Sequence, residues 1–185
     1  MKESVLQIRR RVLPHNHPDI GSAMLNLTAT YSALGRHEDA LAMAERALEF
    51  FQRVLPPDHP HIGESMASLA AAYGALGRYE DELVIVENAL EFQRRVLPPN
   101  HPRIGTSMEH LAATYRDLGR HEDALALGER ALEFRRRVLP PNHPRIGESM
   151  ASLAATYRDL GRHEDALAMG ERALEFRRHN HPDIE

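Results

Sequence analysis

Residues 103–136 read RIGTSMEHLAATYRDLGRHEDALALGERALEFRR, and residues 145–178 read RIGESMASLAATYRDLGRHEDALAMGERALEFRR. The stretches lie 42 residues apart and differ at four positions: Thr106/Glu148, Glu109/Ala151, His110/Ser152 and Leu127/Met169. The same interval separates the His-Pro pairs that begin at His17, His59, His101 and His143. Self-similarity at a fixed period of this length indicates a repeat architecture. The chain is therefore predicted to contain four tandem repeats.

Each repeat is predicted to form two helices. The first helix of repeat 1 has apolar residues at spacings of three and four: Ile20, Met24, Leu27, Tyr31 and Leu34. Gly35 suits the left-handed residue that often follows a helix. The second helix is expected to bury one face: Ala40, Met43, Ala44, Ala47, Leu48 and Phe51. One helix pair cannot cover its own apolar stripe, so the repeats are expected to stack into an all-α superhelix.

Composition excludes several classes of protein. The 185 residues carry a net charge of −4, whereas nucleic-acid binders usually have a basic excess. There is no Cys, so disulfides, thiolate nucleophiles and Cys-type zinc sites are excluded. No apolar run approaches the length of a membrane span, and the first residues, MKESVLQIRRR, lack the apolar segment of a signal peptide. We expect a soluble, cytoplasmic protein that binds neither nucleic acid nor membrane.

The repeat resembles a known family. Leu-Ala-x-x-Tyr at 111–115, Leu-Gly-Arg at 118–120, Glu-Asp-Ala at 122–124 and Ala-Leu at 131–132 follow the tetratricopeptide repeat pattern. The 42-residue period and the Leu-Pro-Pro-Asn-His-Pro link at 97–102 are similar to the variant in kinesin light chains. Related arrays form sensor regions of NACHT and NB-ARC type signalling ATPases. The resemblance implies a right-handed superhelical α-solenoid of helix-turn-helix repeats. Glu82 departs from the family's preferred Ala at its position.

The predicted organisation is a single array over residues 1–185. Residues 1–14 correspond to part of a second helix from a preceding repeat. The four repeats cover 17–58, 59–100, 101–142 and 143–178, and 179–185 form a tail. We expect a segment of a longer protein, whose uncapped ends pair by head-to-tail stacking or by a swapped helix.

The resemblance implies that the first helices line a concave groove for an extended or helical peptide. Three of the four differences between repeats 3 and 4 fall on this face, which favours ligand recognition over drift of exposed positions. The predicted partner-binding residues are Ser22, Leu25, Asn26, Ala29, Glu64, Ala67, Ser68, Ala71, Gly74, Thr106, Glu109, His110, Ala113, Arg116, Asp117, Glu148, Ala151, Ser152, Ala155, Arg158 and Asp159.

The histidines and arginines suggest other sites. Pairs at His15/His17, His59/His61 and His179/His181 place two imidazoles close together, but zinc needs three or four convergent ligands, so we expect no metal. The arginines that cluster at second-helix ends favour the negative helix terminus, which explains them better than an RNA or phosphate site. No phosphate-binding loop, His-Glu-x-x-His or Gly-x-Ser-x-Gly motif is present, so we expect neither catalysis nor a cofactor.

Two functions follow from these observations. The first is a non-catalytic protein–protein interaction scaffold that binds a peptide or protein on the concave face. The alternative is a structural or self-associating repeat segment of a larger signalling ATPase or adaptor, with no peptide ligand of its own.

Overall fold

The computed structural model describes residues 2–180, and no strand occurs in that range. The helices are α1 (Lys2–Val12), α2 (Pro18–Ala33), α3 (His37–Val54), α4 (Pro60–Ala75), α5 (Tyr79–Val96), α6 (Pro102–Asp117), α7 (His121–Val138), α8 (Pro144–Asp159) and α9 (His163–Asn180). The prediction of an all-α protein built from helix pairs is confirmed. The predicted tail beyond residue 180 lies outside the described residues.

The helices form two compact units, with α1–α5 in unit 1 and α6–α9 in unit 2. In unit 1 each helix packs against the next along the chain, and α2 also contacts α4. In unit 2 the same pattern holds, and α6 also contacts α8. Within each unit, therefore, first helices of successive repeats lie side by side, and a second helix packs against the first helix on either side of it.

A histidine side chain caps every first helix of the four repeats. The Nδ1 atom of His17 accepts a hydrogen bond from the backbone N–H of Asp19 at 3.2 Å. His59, His101 and His143 accept the same bond from the residue two positions later, each at 3.2 Å. A helix start leaves several N–H groups without intrahelical partners, and a side-chain acceptor at this position satisfies one of them. The proline that follows begins the helix, where its missing N–H is not needed.

The turn between the two helices of a repeat requires a glycine. Gly35, Gly77, Gly119 and Gly161 have φ angles of 71°, 69°, 72° and 73°. In repeat 3 the N–H of Arg120 then donates to the carbonyl oxygen of Tyr115 at 2.8 Å, which closes the end of α6. This is the glycine-terminated helix end that the sequence predicts.

The apolar faces predicted from the periodicity form the cores. In repeat 1, Ile20, Met24 and Leu27 of α2 are buried, as are Ala40, Ala44, Ala47 and Phe51 of α3, while Met43 and Leu48 are half-buried. Leu34 was expected on the same face, but it is exposed. The C-cap position is not the reason, since Leu76 and Leu160 occupy it in repeats 2 and 4 and are half-buried against cores that include Leu41 of α3 and Leu125 of α7. Helix α1, which precedes α2, has 11 residues where α3 and α7 have 18, so it does not cover Leu34 in the same way.

Two glycine substitutions test the role of the turn. Gly119→Ala should lower the free energy of unfolding by about 1–2 kcal/mol, because an L-residue is strained at positive φ. No atom lies within 4 Å of the added Cβ, so the cost comes from the backbone alone. Gly170→Ala is the matched control, since that site is helical and its added Cβ is equally free of contacts. It should raise stability by about 0.5–1 kcal/mol. Urea denaturation measures both, and a stabilising Gly119→Ala would contradict the explanation.

Candidate partner-binding site

The predicted partner-binding residues all lie on first helices. Those of unit 1 are Ser22, Leu25, Asn26 and Ala29 on α2, and Glu64, Ala67, Ser68, Ala71 and Gly74 on α4. Those of unit 2 are Thr106, Glu109, His110, Ala113, Arg116 and Asp117 on α6, and Glu148, Ala151, Ser152, Ala155, Arg158 and Asp159 on α8. None of these residues is classed as buried. We call each set the first-helix face of its unit.

An ion pair joins α6 and α8 at one end of the first-helix face of unit 2. The guanidinium Nε of Arg116 lies 3.8 Å from a carboxylate oxygen of Asp159, and both side chains are about a quarter exposed. Arg158 approaches the other oxygen of Asp159 to 3.3 Å, but its own side chain is two-thirds exposed. Asp117 is also exposed. This end of the face therefore offers an exposed cation, Arg158, and an exposed anion, Asp117, beside an ion pair between the two helices.

Small side chains occupy the middle of the same face. Ala113 and Ala155 are half-buried, Ser152 is half-buried, and Ala151 is exposed. In unit 1, the corresponding part of the face carries exposed Ala67. Short side chains on adjacent helices leave room for the side chains of a ligand, and they cost little conformational entropy when a ligand covers them.

The other end of the unit 2 face contains a buried ion pair that the sequence reading did not identify. Arg135 of α7 is only 5% exposed, and its Nη1 lies 3.5 Å from Oε1 of Glu109. The same Nη1 donates to the hydroxyl oxygen of Ser149 at 2.8 Å and to the backbone carbonyl of Arg145 at 3.0 Å. Burial lowers the pKa of Arg135, and the charge of Glu109 partly offsets this effect. The side chain of Glu109 thus points toward α7 and lies between the helices, not toward solvent.

This geometry gives a packing reason for two of the differences between repeats 3 and 4. Glu109 pairs with Arg135, and Thr106 accepts a hydrogen bond from Arg145 of α8. Their variation therefore does not by itself indicate that a ligand is recognised there. The sequence does contain a sign of this ion pair. Two positions of the repeat change together, from Leu25 and Phe51 in repeat 1 to Glu109 and Arg135 in repeat 3.

Gly74 and Glu82 compensate for each other in unit 1. Glu82 of α5 is buried, and an added Cβ on Gly74 would lie 2.8 Å from its Oε2 atom. The other repeats carry Ala at the position of Glu82 and a larger residue at the position of Gly74: Ser32, Arg116 and Arg158. The departure from the family pattern at Glu82 is thus accommodated by the missing side chain of Gly74, which serves packing as well as the face.

The side chains of the pair His59/His61 have other roles. The rings of His59 and His61 lie 4.9 Å apart. Nδ1 of His59 accepts the capping hydrogen bond, and Nδ1 of His61 lies 2.8 Å from Oε2 of Glu64. Among the side chains of residues 4–180, no three of His, Asp or Glu are grouped so that they would hold a metal ion. His181, the second member of the last predicted pair, lies outside the described residues.

No helix in the described part of the chain is both long enough and apolar enough to cross a membrane.

Helix pairs that repeat every 42 residues, with one face of the first helices left outside the core, define a helical-repeat protein. A tetratricopeptide repeat profile matches residues 83–137 and 103–179, and a second profile with the same description matches residues 21–61. The chain belongs to the tetratricopeptide repeat family, as its sequence motifs predicted. A comparison with curated protein sequences gives no match.

Solved structures show the same helical-repeat fold. A kinesin light chain-like protein of Podospora anserina, described as having nearly identical TPR-like repeats, is 25% identical, with a TM-score of 0.85 over 97% of this chain and 85% of that one. BtubC (BKLC) from P. vanneervenii is 22% identical, with a TM-score of 0.83 over 95% of this chain and 70% of that one. A Rap protein complexed with competence and sporulation factor is 14% identical, with a TM-score of 0.75 over 95% of this chain and 47% of that one. The predicted α-solenoid class and the likeness to kinesin light chains are confirmed.

The buried ion pair can be tested with residues that the chain itself uses elsewhere. Glu109→Ala should lower the free energy of unfolding by about 1–3 kcal/mol, because it leaves a buried guanidinium without its counter-charge. The double variant Glu109→Leu/Arg135→Phe introduces the residues of positions 25 and 51, and its stability should return to or exceed that of the parent.

Urea denaturation of the parent, Glu109→Leu, Arg135→Phe and the double variant gives the coupling energy between the two positions. Glu133→Ala removes an exposed carboxylate from α7 and serves as the control, with an expected change within about 0.5 kcal/mol. Additive effects of Glu109→Leu and Arg135→Phe would show that the two side chains do not interact.

Proposed function

We propose that the protein is a non-catalytic interaction module that binds a peptide segment of a protein partner on the first-helix faces. The observation that carries the proposal is the first-helix face of unit 2. There, small side chains on α6 and α8 lie beside an exposed Arg158 and a carboxylate, Asp159, that is shared between two arginines.

The chemistry of this face favours one kind of ligand. A peptide with small or apolar side chains fits between α6 and α8 over Ala113, Ser152 and Ala155. An acidic residue next to that segment would find Arg158, and a charge-assisted hydrogen bond there would add to both affinity and orientation. Glu109 and Thr106 contribute less than their position suggests, because the carboxylate of Glu109 faces the buried Arg135 and the hydroxyl of Thr106 accepts a hydrogen bond from Arg145.

The comparisons support an interaction role. Tetratricopeptide repeats generally mediate protein–protein interaction, and their known members are typically scaffolds without catalytic activity. The Rap structure, which shares the fold, holds a competence and sporulation factor. For the present chain we infer that it also binds a peptide, whose sequence is determined by the residues of its own first-helix faces.

A second candidate function is a structural or self-associating repeat segment within a larger protein, such as a signalling ATPase or an adaptor. The observation that favours it is the exposure of two leucines, Leu167 and Leu174, on α9. This alternative requires no peptide ligand, so peptide selection separates it from the first proposal.

Selection of linear peptides from a phage-displayed library on the immobilised parent protein tests the interaction role. The strongest peptide is then titrated by fluorescence anisotropy against the parent and against Arg116→Ala/Arg158→Ala. We expect the double variant to weaken binding about tenfold or more, because a hydrogen bond to a charged group contributes about 1.5–3 kcal/mol.

Arg130→Ala/Arg172→Ala is the matched control. It removes two exposed arginines from the second helices of the same unit and should leave the dissociation constant unchanged. Equal weakening by both double variants would indicate a nonspecific charge effect. A library that yields no binding peptide would instead favour the structural alternative.

A further inference from the structure

One face of α9 is apolar and exposed. Leu167 and Leu174 are 65% and 54% exposed. Together with small residues they line an open cavity of about 360 Å³ between α8 and α9. Its apolar lining comprises Ala151, Ala154, Ala166, Leu167, Gly170, Ala173 and Leu174.

The same face occurs on α7, where a first helix covers it. Residues 121–136 of α7 and 163–178 of α9 differ only at Leu127/Met169. On α7 the two leucines at the equivalent positions, Leu125 and Leu132, are only 7% and 5% exposed. They pack with α8, whose Leu153 lies 3.0 Å from the Cβ position of Gly128. The chain itself therefore shows which surface this face binds, namely the apolar side of a first helix.

The helix α2 carries that apolar side. Its Ile20, Met24 and Leu27 stand at the positions of Ile146, Met150 and Leu153 of α8, with identical residues at all three. A surface that already fits the α7 face is thus present a second time, at α2 in unit 1.

In the present structure α1 packs against this apolar side of α2, in the same register as α7 packs against α8. Arg9 of α1 donates from Nη1 to the carbonyl oxygen of Asp19 at 2.8 Å. Arg135 of α7 makes the equivalent bond to the carbonyl oxygen of Arg145 at 3.0 Å. Arg177 of α9 stands at the same position of the repeat as Arg9 and Arg135. Any helix that binds α2 in this register must therefore take the place of α1.

The fit of α1 to α2 is less complete than that of α7 to α8. Helix α1 has 11 residues, whereas α7 and α9 have 18. Val5 is 42% exposed, although its counterpart Ala131 is fully buried. A cavity of about 310 Å³ remains beside α1, lined by Val5, Arg9, Ala23 and Asn26. A full-length second helix would cover more of α2 than α1 does.

We propose that α9 of one molecule docks onto α2 of a second molecule and displaces its α1, which joins copies of the chain head to tail. Leu167 and Leu174 become buried as Leu125 and Leu132 are, and Arg177 donates to the carbonyl oxygen of Asp19 of the second molecule. The contact is heterologous, so further copies add in the same direction. The apolar contact of this junction is made by Leu167 and Leu174 with Ile20, Met24 and Leu27, none of which is a predicted partner-binding residue, so the inference can fail or hold separately from the peptide-binding proposal.

The charges at the junction limit the affinity and set its salt dependence. In unit 2, Arg145 of α8 contacts Thr106 of α6. At the proposed junction the corresponding residues are Asp19 and Glu148, both exposed and both acidic. Since salt screens this repulsion while it does not weaken apolar burial, the association should strengthen as salt concentration rises.

Sedimentation equilibrium over a range of protein concentrations tests the proposal. The average mass of the parent should rise with concentration. Leu174→Arg should raise the dissociation constant at least about tenfold, because it places a charge in the apolar contact. Val84→Arg makes a comparable exchange at a residue of α5 that is 55% exposed, and it should behave as the parent. Its counterpart on α7, Ala126, stays exposed although α8 covers the apolar face of that helix, so this position lies outside the proposed contact. A parent that stays monomeric at every concentration overturns the proposal.

A second variant tests the displacement of α1. Leu6, the buried residue of α1, holds that helix on α2. Leu6→Arg should release α1 and lower the dissociation constant about tenfold, since the competitor for α2 is weakened. Unchanged or weaker association of Leu6→Arg would show that α9 pairs with another surface, such as a second α9. The double variant Leu6→Arg/Leu174→Arg should be monomeric, and its continued association would mean that the released α2 face aggregates without α9.

Discussion

The turn between the two helices of a repeat is the constraint on which the rest of the structure depends. At its centre a glycine takes a left-handed conformation, and the arginine that follows bonds its N–H back to the tyrosine carbonyl of the first helix. In repeat 3 the guanidinium of Arg120 lies 4.4 Å from the ring centroid of Tyr115 and pairs with Asp123 in the first turn of α7. One residue thus contacts both helices, and their apolar stripes can meet only at the angle that this turn sets.

Near-identity of sequence does not make the repeats equivalent in energy. At the contact between a second helix and the first helices beside it, repeat 1 uses Phe51 with Leu25 nearby, whereas repeat 3 uses Arg135 with Glu109. The pair Phe51 and Leu25 removes more nonpolar area from water. The pair Arg135 and Glu109 depends on both charges and on Ser149, so it joins α6, α7 and α8 more specifically. Two repeats of one pattern therefore tolerate different substitutions.

The sequence predicted the features that recur with the 42-residue period, but it did not predict contacts between particular pairs of side chains. Helix bounds, the glycine turns and the family all follow from residues that recur every 42 positions. Leu34 was expected in the core because its spacing continues that of α2, but its burial depends on the second helix that precedes α2, which the spacing within α2 does not describe. The contact of Glu109 with Arg135 and the close approach of Glu82 to Gly74 each join two helices. The spacing of residues along one helix gives no information about such contacts. The first-helix faces themselves remain a prediction from the family's geometry.

The histidine caps and the glycine turns act at opposite ends of the same helices. Each cap accepts the backbone N–H of the residue two positions later, so the acceptor at the start of a first helix belongs to a residue that precedes the helix. At the other end, the bond that closes the helix comes from the arginine after the glycine, which also lies beyond the helix. The first helices α2, α4, α6 and α8 are thus held at both ends by residues of the links, so a link that is kept unchanged preserves the ends of a first helix while residues within it vary.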